Sequence, residues 1–260
     1  MGERRTSERV TWLLPALLSA TAGAVEAIGF LALGGIFTAH ITANLMVLAA
    51  RCITGRFDQI GPLLAVPVFF AVLALVTSLY RSAPDLRTSR RAMLIWHAAL
   101  IASALAIGVA LSPLSDTAGA AGIAIGMLIV SAMAMQTAVV RMSLPGSPST
   151  AMLTTNATVL AIELATLTRR KGGSDELTEA RRRIAVTLPC VAGFVTGGAL
   201  GVFLEIHLQL AALAMPLVLA AFAIPLGELW RESRIATIGK RPMPYVVRAR
   251  RASGLRTGSD

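Results

Sequence analysis

Threonine and asparagine side chains recur at the same spacing in two distant segments of the chain. Residues 38–49 read TAHITANLMVLA and residues 150–161 read TAMLTTNATVLA, with seven of the twelve positions identical. Paired polar interruptions at corresponding places in two apolar halves of a chain point to a binding site in a membrane protein. We therefore predict a substrate-binding site composed of Thr38, His40, Thr42, Asn44, Thr150, Thr154, Thr155 and Asn156.

A single carboxylate lies well inside a long apolar run. Glu26 occupies the middle of the first such run. A charged carboxylate at the centre of a bilayer costs at least about 2.5 kcal/mol, and such residues face cavities or carry protons and ions. We predict that Glu26 couples transport to a proton or cation. The alternative is a neutral glutamic acid that hydrogen-bonds a neighbouring helix.

Helix-breaking residues precede both copies of the repeated segment. Gly34 and Gly35 come before the first copy, and Pro145 and Gly146 come before the second. Each copy is thus expected to start a short helix after an interruption. The expected N-cap residues are Thr38, Thr42, Thr150 and Thr154. If both segments reach the middle of the membrane, their N-termini and asparagines converge into one small polar site.

The elements that must position these residues are apolar helices. The chain is 55% hydrophobic and only 15% charged, with a mean hydropathy of +0.69, whereas soluble domains average about 25% charged residues. The composition predicts an all-α, polytopic helical membrane protein. Runs long enough to cross a bilayer lie near residues 12–36, 60–80, 92–112, 118–140, 184–206 and 208–227.

The distribution of basic residues favours six spans over eight. Six spans with both termini in the cytoplasm place 22 of the 24 Lys and Arg residues inside, whereas eight spans leave five outside. The repeated segments then become two short re-entrant or broken helices. Since three spans per half is an odd number, the halves form an inverted 3+3 repeat. The alternative is eight helices in a parallel repeat.

The same patterns divide the chain into three regions. Residues 1–11 form a cytoplasmic N-terminal segment, and residues 12–228 form the membrane domain. Within that domain, repeat one covers 12–112 and repeat two covers 118–228. Residues 229–260 form a basic cytoplasmic tail that is expected to be disordered. The net charge of +10 is explained by loops and tail that flank a lipid bilayer, so no nucleic-acid partner is predicted.

No motif of a known enzyme class is present, so the chain is predicted not to be an enzyme and to bind no cofactor. Cys52 and Cys190 are isolated thiols, and no cluster with metal-ligand spacing occurs. The leading hypothesis is a permease or channel for a small polar solute or ion, proton-coupled through Glu26. The alternative is a non-transporting membrane scaffold or assembly protein. A homo-oligomer is compatible with either hypothesis.

The stretch AGAVEAIGFLALGGIFTAHITAN, residues 22–44, resembles a signature of the YoaK-like family of bacterial membrane proteins. The stretches MQTAVVR at 135–141 and TTNATVLA at 154–161 are similar to its second signature. The resemblance implies six spans in the bacterial inner (plasma) membrane, and the family is one of unknown function. The family usually has Asp where this chain has Glu26, and Gly where it has Ala43.

Overall fold

In the computed structural model of the chain, all regular structure in the described part is helical, and this part comprises residues 2–55, 60–82, 86–114, 116–168 and 173–230. A π-helical turn, Val139–Ser143, extends α5, and a 3-10 turn, Gln209–Leu213, joins α7 to α8. The eight α-helices of the described residues are α1 Gly2–Ala32, α2 Ile41–Thr54, α3 Gly61–Arg81, α4 Leu86–Ala110, α5 Ala120–Ala138, α6 Leu153–Thr168, α7 Ser174–Leu208 and α8 Ala214–Leu229.

Five helical segments in the described part are long and apolar enough to cross a membrane. They are residues 12–32, 61–81, 88–110, 120–143 and 174–229. The last of these, 56 residues long, contains both α7 and α8. Much of this apolar surface faces outward, since Phe70, Leu75 and Leu79 on α3 are each at least 60% exposed. A surface of that kind is stable in lipid, and the prediction of an all-α membrane protein is confirmed at this level.

The predicted end regions fall largely at the limits of the described part. The N-terminal segment 1–11 belongs to α1 from Gly2 onward. Of the predicted basic tail, only Leu229 and Trp230 are described, and residues 231–260 lie outside the described residues.

Helices α1 and α7 pack at backbone contact distance because small residues face each other along both. Gly193, Gly197 and Gly201 on α7 lie against Ala16, Ala20 and Ala24 on α1. The paired residue numbers rise together, so the two helices run in the same direction. A Cβ atom on Gly197 would lie only 2.1 Å from the carbonyl oxygen of Ala20. In lipid, this close approach of backbones replaces hydrophobic burial as the main source of helix association.

The other packing pairs follow the order of the repeat. Helix α1 also packs on α8, helix α5 packs on both α3 and α4, and α4 packs on α8. The short helices α2 and α6 pack on the helices that follow them, α3 and α7. Exchanging α1–α4 for α5–α8 turns the pair α4 and α8 into itself and each other pair, including α1 and α7, into another pair that is also present. The internal similarity of the sequence is therefore matched by the pattern of packing.

Two apolar clusters fill the bundle at its two ends. The first cluster includes Val25 and Ile36 from the second half of α1 and the loop after it, with Ile125 and Leu213. The second includes Leu14, Val76, Met93, Val140 and Trp230. The second cluster thus gathers the start of the apolar part of α1, the end of α3, the start of α4 and the ends of α5 and α8.

Candidate functional site

The first polar cluster is centred on the Glu26 carboxylate. Its Oε2 accepts hydrogen bonds from the backbone N–H of Thr38 at 2.8 Å, the Thr38 hydroxyl at 3.0 Å and the N–H of Ala39 at 2.6 Å. Its Oε1 accepts one from the N–H of His40 at 3.3 Å and lies 2.9 Å from the imidazole Nδ1. The carboxylate therefore binds the tip of the loop that precedes α2.

The loop reaches Glu26 because the chain folds back along α1. Helix α1 ends at Ala32, and Gly34 and Gly35 adopt φ angles of 67° and 80°, which residues with a side chain rarely accept. Glu26 lies six residues before that end, about 9 Å back along the helix at 1.5 Å per residue. The unpaired N–H groups at the start of a helix carry partial positive charge. A carboxylate at this position therefore stabilises the start of α2.

This cap differs from the predicted one. Helix α2 begins at Ile41, with His40 as its N-cap residue, and no side chain of the loop caps it. The expectation that Thr38 or Thr42 serves as N-cap is wrong, because the N-cap position is His40 and the Glu26 carboxylate of the preceding helix binds the N–H groups of Thr38, Ala39 and His40 just before the first turn. Thr42 lies in the first turn of α2 with its side chain exposed.

Asn44 holds the same loop from the other side. Its Oδ1 accepts a hydrogen bond from the N–H of Phe37 at 3.0 Å, and its Nδ2 donates one to the carbonyl oxygen of Phe37 at 2.7 Å. Asn44 is fully buried. Arg51, two turns further along α2, donates to the carbonyl oxygen of Gly34 at 3.3 Å. The end of α2 therefore returns to the level at which the loop started.

The second polar cluster repeats this plan 112 residues later. Gly146 has a φ angle of 78°, α6 begins at Leu153, and the Nδ2 of Asn156 donates to the carbonyl oxygen of Ser149. Gln136 takes the place of Glu26, since its Nε2 donates to the Thr150 hydroxyl at 3.0 Å. Thr150 corresponds to Thr38 in the repeat, so each loop folds back onto a polar side chain of the helix before it.

The two clusters differ in charge and in how completely their polar atoms are hydrogen-bonded. Gln136 is 1% exposed, and its Oε1 has no hydrogen-bond partner in the part of the chain that the structure describes. Its Nε2 also donates to the carbonyl oxygen of Leu18 at 2.9 Å. Met152 stands where the first copy has His40. The hydrogen bond between His40 and the Glu26 carboxylate raises the pKa of the imidazole above its ordinary value, and the second loop has no counterpart to this pair.

Both clusters contact α1 and α7 but at different depths. The Ser19 hydroxyl donates to the carbonyl oxygens of Thr150 at 3.1 Å and Cys190 at 2.7 Å. The ring of His40 packs edge-on against Phe194, with centroids 5.7 Å apart. Ser19 and Glu26 are seven residues apart on α1, about 10 Å along the helix. The predicted site residues thus form two clusters on one pair of helices, without a hydrogen bond between the clusters among the described residues.

Thr154 and Thr155 lie in a third place, a groove between α6 and α7. The groove has a volume of about 350 Å³ and is lined by Thr154, Thr155, Thr158, Val159, Ile162, Glu163 and Arg183. Arg183 donates to Glu163 at 3.0 Å and to Glu179 at 3.3 Å. The two threonines were predicted from the sequence as site residues, whereas the ion pair was not.

A second feature that was not predicted from the sequence is a buried arginine. Arg90 is 3% exposed and donates to the carbonyl oxygens of Ser143 and Trp230, both at 3.3 Å. These carbonyls lie at the ends of the π-helical turn and of α8, where the partial charge is negative. In the sequence, Arg90 is one of several arginines between two apolar runs, so nothing distinguishes it from a solvated loop residue.

The fold and these clusters define a helical membrane protein with two loops that fold back on its own helices. The model of a family described as "Protein of unknown function (DUF1275)" matches residues 14–226. The chain belongs to this family, whose model covers α2 to α7 completely and most of α1 and α8. The expectation of a family of unknown function is confirmed. No curated protein and no solved structure matches the chain.

Proposed function

We propose that the chain is a permease or channel for a small polar solute or ion in the bacterial inner membrane, with coupling through Glu26. The observation that carries this proposal is the pair of fold-back loops, which bring the N-termini of α2 and α6 onto Glu26 and Gln136. Half-helices whose N-termini point into a membrane bundle recur in transporters, where they bind substrates and ions.

Six spans in an inverted 3+3 repeat fit this function and the packing. Leu18 contacts Gln136, and Leu33, just after the end of α1, lies against Gly126. Residue numbers therefore rise along α1 in the direction in which they fall along α5. Opposite directions of α1 and α5 support inverted halves, since eight spans would make these helices parallel. The proposed spans are α1, α3, α4, α5, α7 and α8, with α2 and α6 re-entrant.

The cytoplasmic position of both termini is supported by contacts at one end of the bundle. Tyr80 at the end of α3 donates to the carbonyl oxygen of Met142, and Arg91 pairs with Glu228 at 3.0 Å. These residues lie beside the second apolar cluster, which contains Leu14 near the start of the first span. The segments that carry most basic residues thus meet at one face, as the positive-inside rule requires of a cytoplasmic face.

In this proposal, the protonation of Glu26 controls the first loop. The ionised carboxylate accepts from three consecutive backbone N–H groups, of Thr38, Ala39 and His40. A proton on one carboxyl oxygen removes an acceptor and adds a donor. The loop tip then loses part of its attachment to α1 and opens a path at this depth. The chain's own residues supply this coupling without a cofactor or an enzymatic step.

Proteoliposomes with a pH-sensitive dye inside test the proposal. A panel of small metabolites and salts is added outside one at a time, and solute-evoked proton movement is recorded. Glu26→Gln is expected to abolish this movement, because an amide side chain does not take up a proton near neutral pH. Glu228→Gln, a change in an exposed carboxylate, is the matched control and is expected to leave it intact. A Glu26→Gln protein with unchanged proton movement would exclude Glu26 as the coupling group.

A scaffold function is the second candidate, and one specific observation favours it. Glu26 and Asn44 use their polar atoms for contacts within their own half of the chain. Polar groups that are satisfied locally need no role beyond holding a bundle together. The same vesicles decide between the candidates, because a scaffold moves no solute. In a scaffold, Glu26→Ala is still expected to lower the stability of the protein.

A further inference from the structure

We propose that the groove between α6 and α7 binds a small organic cation, with Glu163 as the residue that recognises its ammonium group. This inference rests on the proposed function and gives it a substrate class. The groove volume of about 350 Å³ lies within the range of roughly 300–1,000 Å³ that is typical of small-molecule sites.

Three ion-paired side chains lie at one end of the groove, and together these three carry a net negative charge. Arg183 is held between two carboxylates, those of Glu163 and Glu179, at 3.0 and 3.3 Å. One guanidinium against two carboxylates leaves one negative charge in excess. Of the two carboxylates, only Glu163 lines the groove. Its Oε1 accepts a hydrogen bond from Arg183, and no hydrogen bond to its Oε2 occurs within the described residues. That second oxygen is available to a donor on a ligand.

The remaining polar groups of the groove are hydroxyl oxygens. The Thr158 hydroxyl donates to the carbonyl oxygen of Thr154 at 2.9 Å, which leaves its lone pairs as acceptors. The hydroxyls of Thr154 and Thr155 make no hydrogen bond among the described residues, and both side chains are exposed. Val159 and Ile162 supply an apolar wall. Acceptors, one excess negative charge and an aliphatic surface together suit an alkylammonium group.

The first half of the chain provides an internal comparison. Several residues of the two loops are the same in both copies, as in the pairs Gly34 and Gly146, Thr38 and Thr150, and Asn44 and Asn156. The groove positions differ, because Thr155, Thr158 and Glu163 correspond to Ala43, Met46 and Arg51. Met46 is 74% exposed on α2. The polar lining is therefore a property of the second half and is no remnant of the duplication.

Isothermal titration of the purified full chain in detergent micelles tests the inference. The probes are propylammonium, propionate and 1-propanol, which share one carbon skeleton and differ in charge. Saturable binding of propylammonium alone is expected. Glu163→Gln is expected to weaken that binding at least about tenfold, because the charge that recognises the ammonium group is lost. Preferred binding of propionate, or no saturable binding of propylammonium, would overturn the inference.

A matched control separates recognition from structure. Glu179→Gln removes the other carboxylate partner of Arg183, and with it the excess negative charge, but lies outside the groove lining, so it is expected to weaken binding less than Glu163→Gln does. Thr158→Val and Thr166→Val form a second pair on α6, and only the first is expected to weaken binding. Equal losses within both pairs would contradict a role of the groove in recognition.

The ammonium group can belong to a soluble amine or to a lipid headgroup. Nanodiscs of phosphatidylglycerol alone, and nanodiscs that also contain phosphatidylethanolamine, distinguish these sources. Competition by phosphatidylethanolamine identifies the headgroup, and unchanged propylammonium affinity identifies a soluble amine. Binding that depends on Glu163, in protein that shows no solute-evoked proton movement, would leave this inference standing and remove the proposed transport.

Discussion

The loops before α2 and α6 share one backbone plan and differ in the group that holds the tip. In the first, the Glu26 carboxylate accepts four hydrogen bonds from Thr38, Ala39 and His40. In the second, the neutral Gln136 reaches only the Thr150 hydroxyl within its own loop and keeps an unpartnered oxygen. The asparagines and the glycines with positive φ are retained in both. Backbone geometry and ionisable chemistry are thus carried by different residues and vary independently.

The largest expected effect comes from deleting the two anchors in turn. Glu26→Ala leaves three backbone N–H groups without an acceptor, and we expect a loss of about 3 kcal/mol or more in the free energy of unfolding. Gln136→Ala removes two hydrogen bonds and one unsatisfied oxygen, so a loss of about 1 kcal/mol is expected. Unfolding in mixed micelles, followed by circular dichroism, measures both. Equal losses would show that the carboxylate stabilises the first loop no more than the amide stabilises the second.

A smaller difference is expected between the two asparagines. Asn44 makes two hydrogen bonds to Phe37, whereas Asn156 makes one to Ser149. Asn44→Ala is expected to cost about 1–2 kcal/mol and Asn156→Ala about 0.6 kcal/mol, the usual range for such bonds in membrane proteins. The same unfolding measurement compares the variants. A larger loss for Asn156→Ala would reverse the assignment of the first loop as the more firmly held one.

The smallest effect is a pH dependence confined to the first loop. The pKa of His40 is raised by its hydrogen bond to Glu26. Its contribution to stability is therefore fully present below the unfolded-state pKa of about 6.5 and is lost as pH rises through the higher folded-state pKa. Because the ring is partly exposed, we expect less than about 1 kcal/mol.

The stability difference between the parent chain and His40→Gln measures this term from pH 5 to 9. It should be largest at low pH and shrink as pH rises. Met152→Gln, at the matching place in the second loop, is the control and should show a difference that does not vary with pH. A difference for His40→Gln that grows with pH would mean that the neutral ring is the one bound.

The helices were predictable, whereas the pairing of the polar residues was only partly so. Apolar runs indicate membrane helices because composition alone decides solubility in lipid, and the two short helices followed from Gly34, Gly146 and their neighbours. That Glu26 caps the loop depends on how far the chain folds back along α1, which no local pattern encodes. For the same reason, the predicted single site is separated into two clusters and a groove. The burial of Arg90 could be predicted only with knowledge of which helix ends meet.

The glycine face of α7 has a consequence for biosynthesis. Its partner surface on α1, at Ala16, Ala20 and Ala24, is made about 177 residues before Gly193, Gly197 and Gly201. At about 5–20 residues per second, the ribosome needs on the order of 10–35 s to produce that partner. During this interval α1 stays in the insertion machinery or in lipid with Glu26 inside the bilayer. The loop that follows it, residues 33–40, supplies the hydrogen-bond donors that this carboxylate keeps in the folded chain. The Glu26 carboxylate can therefore be satisfied long before α7 is made.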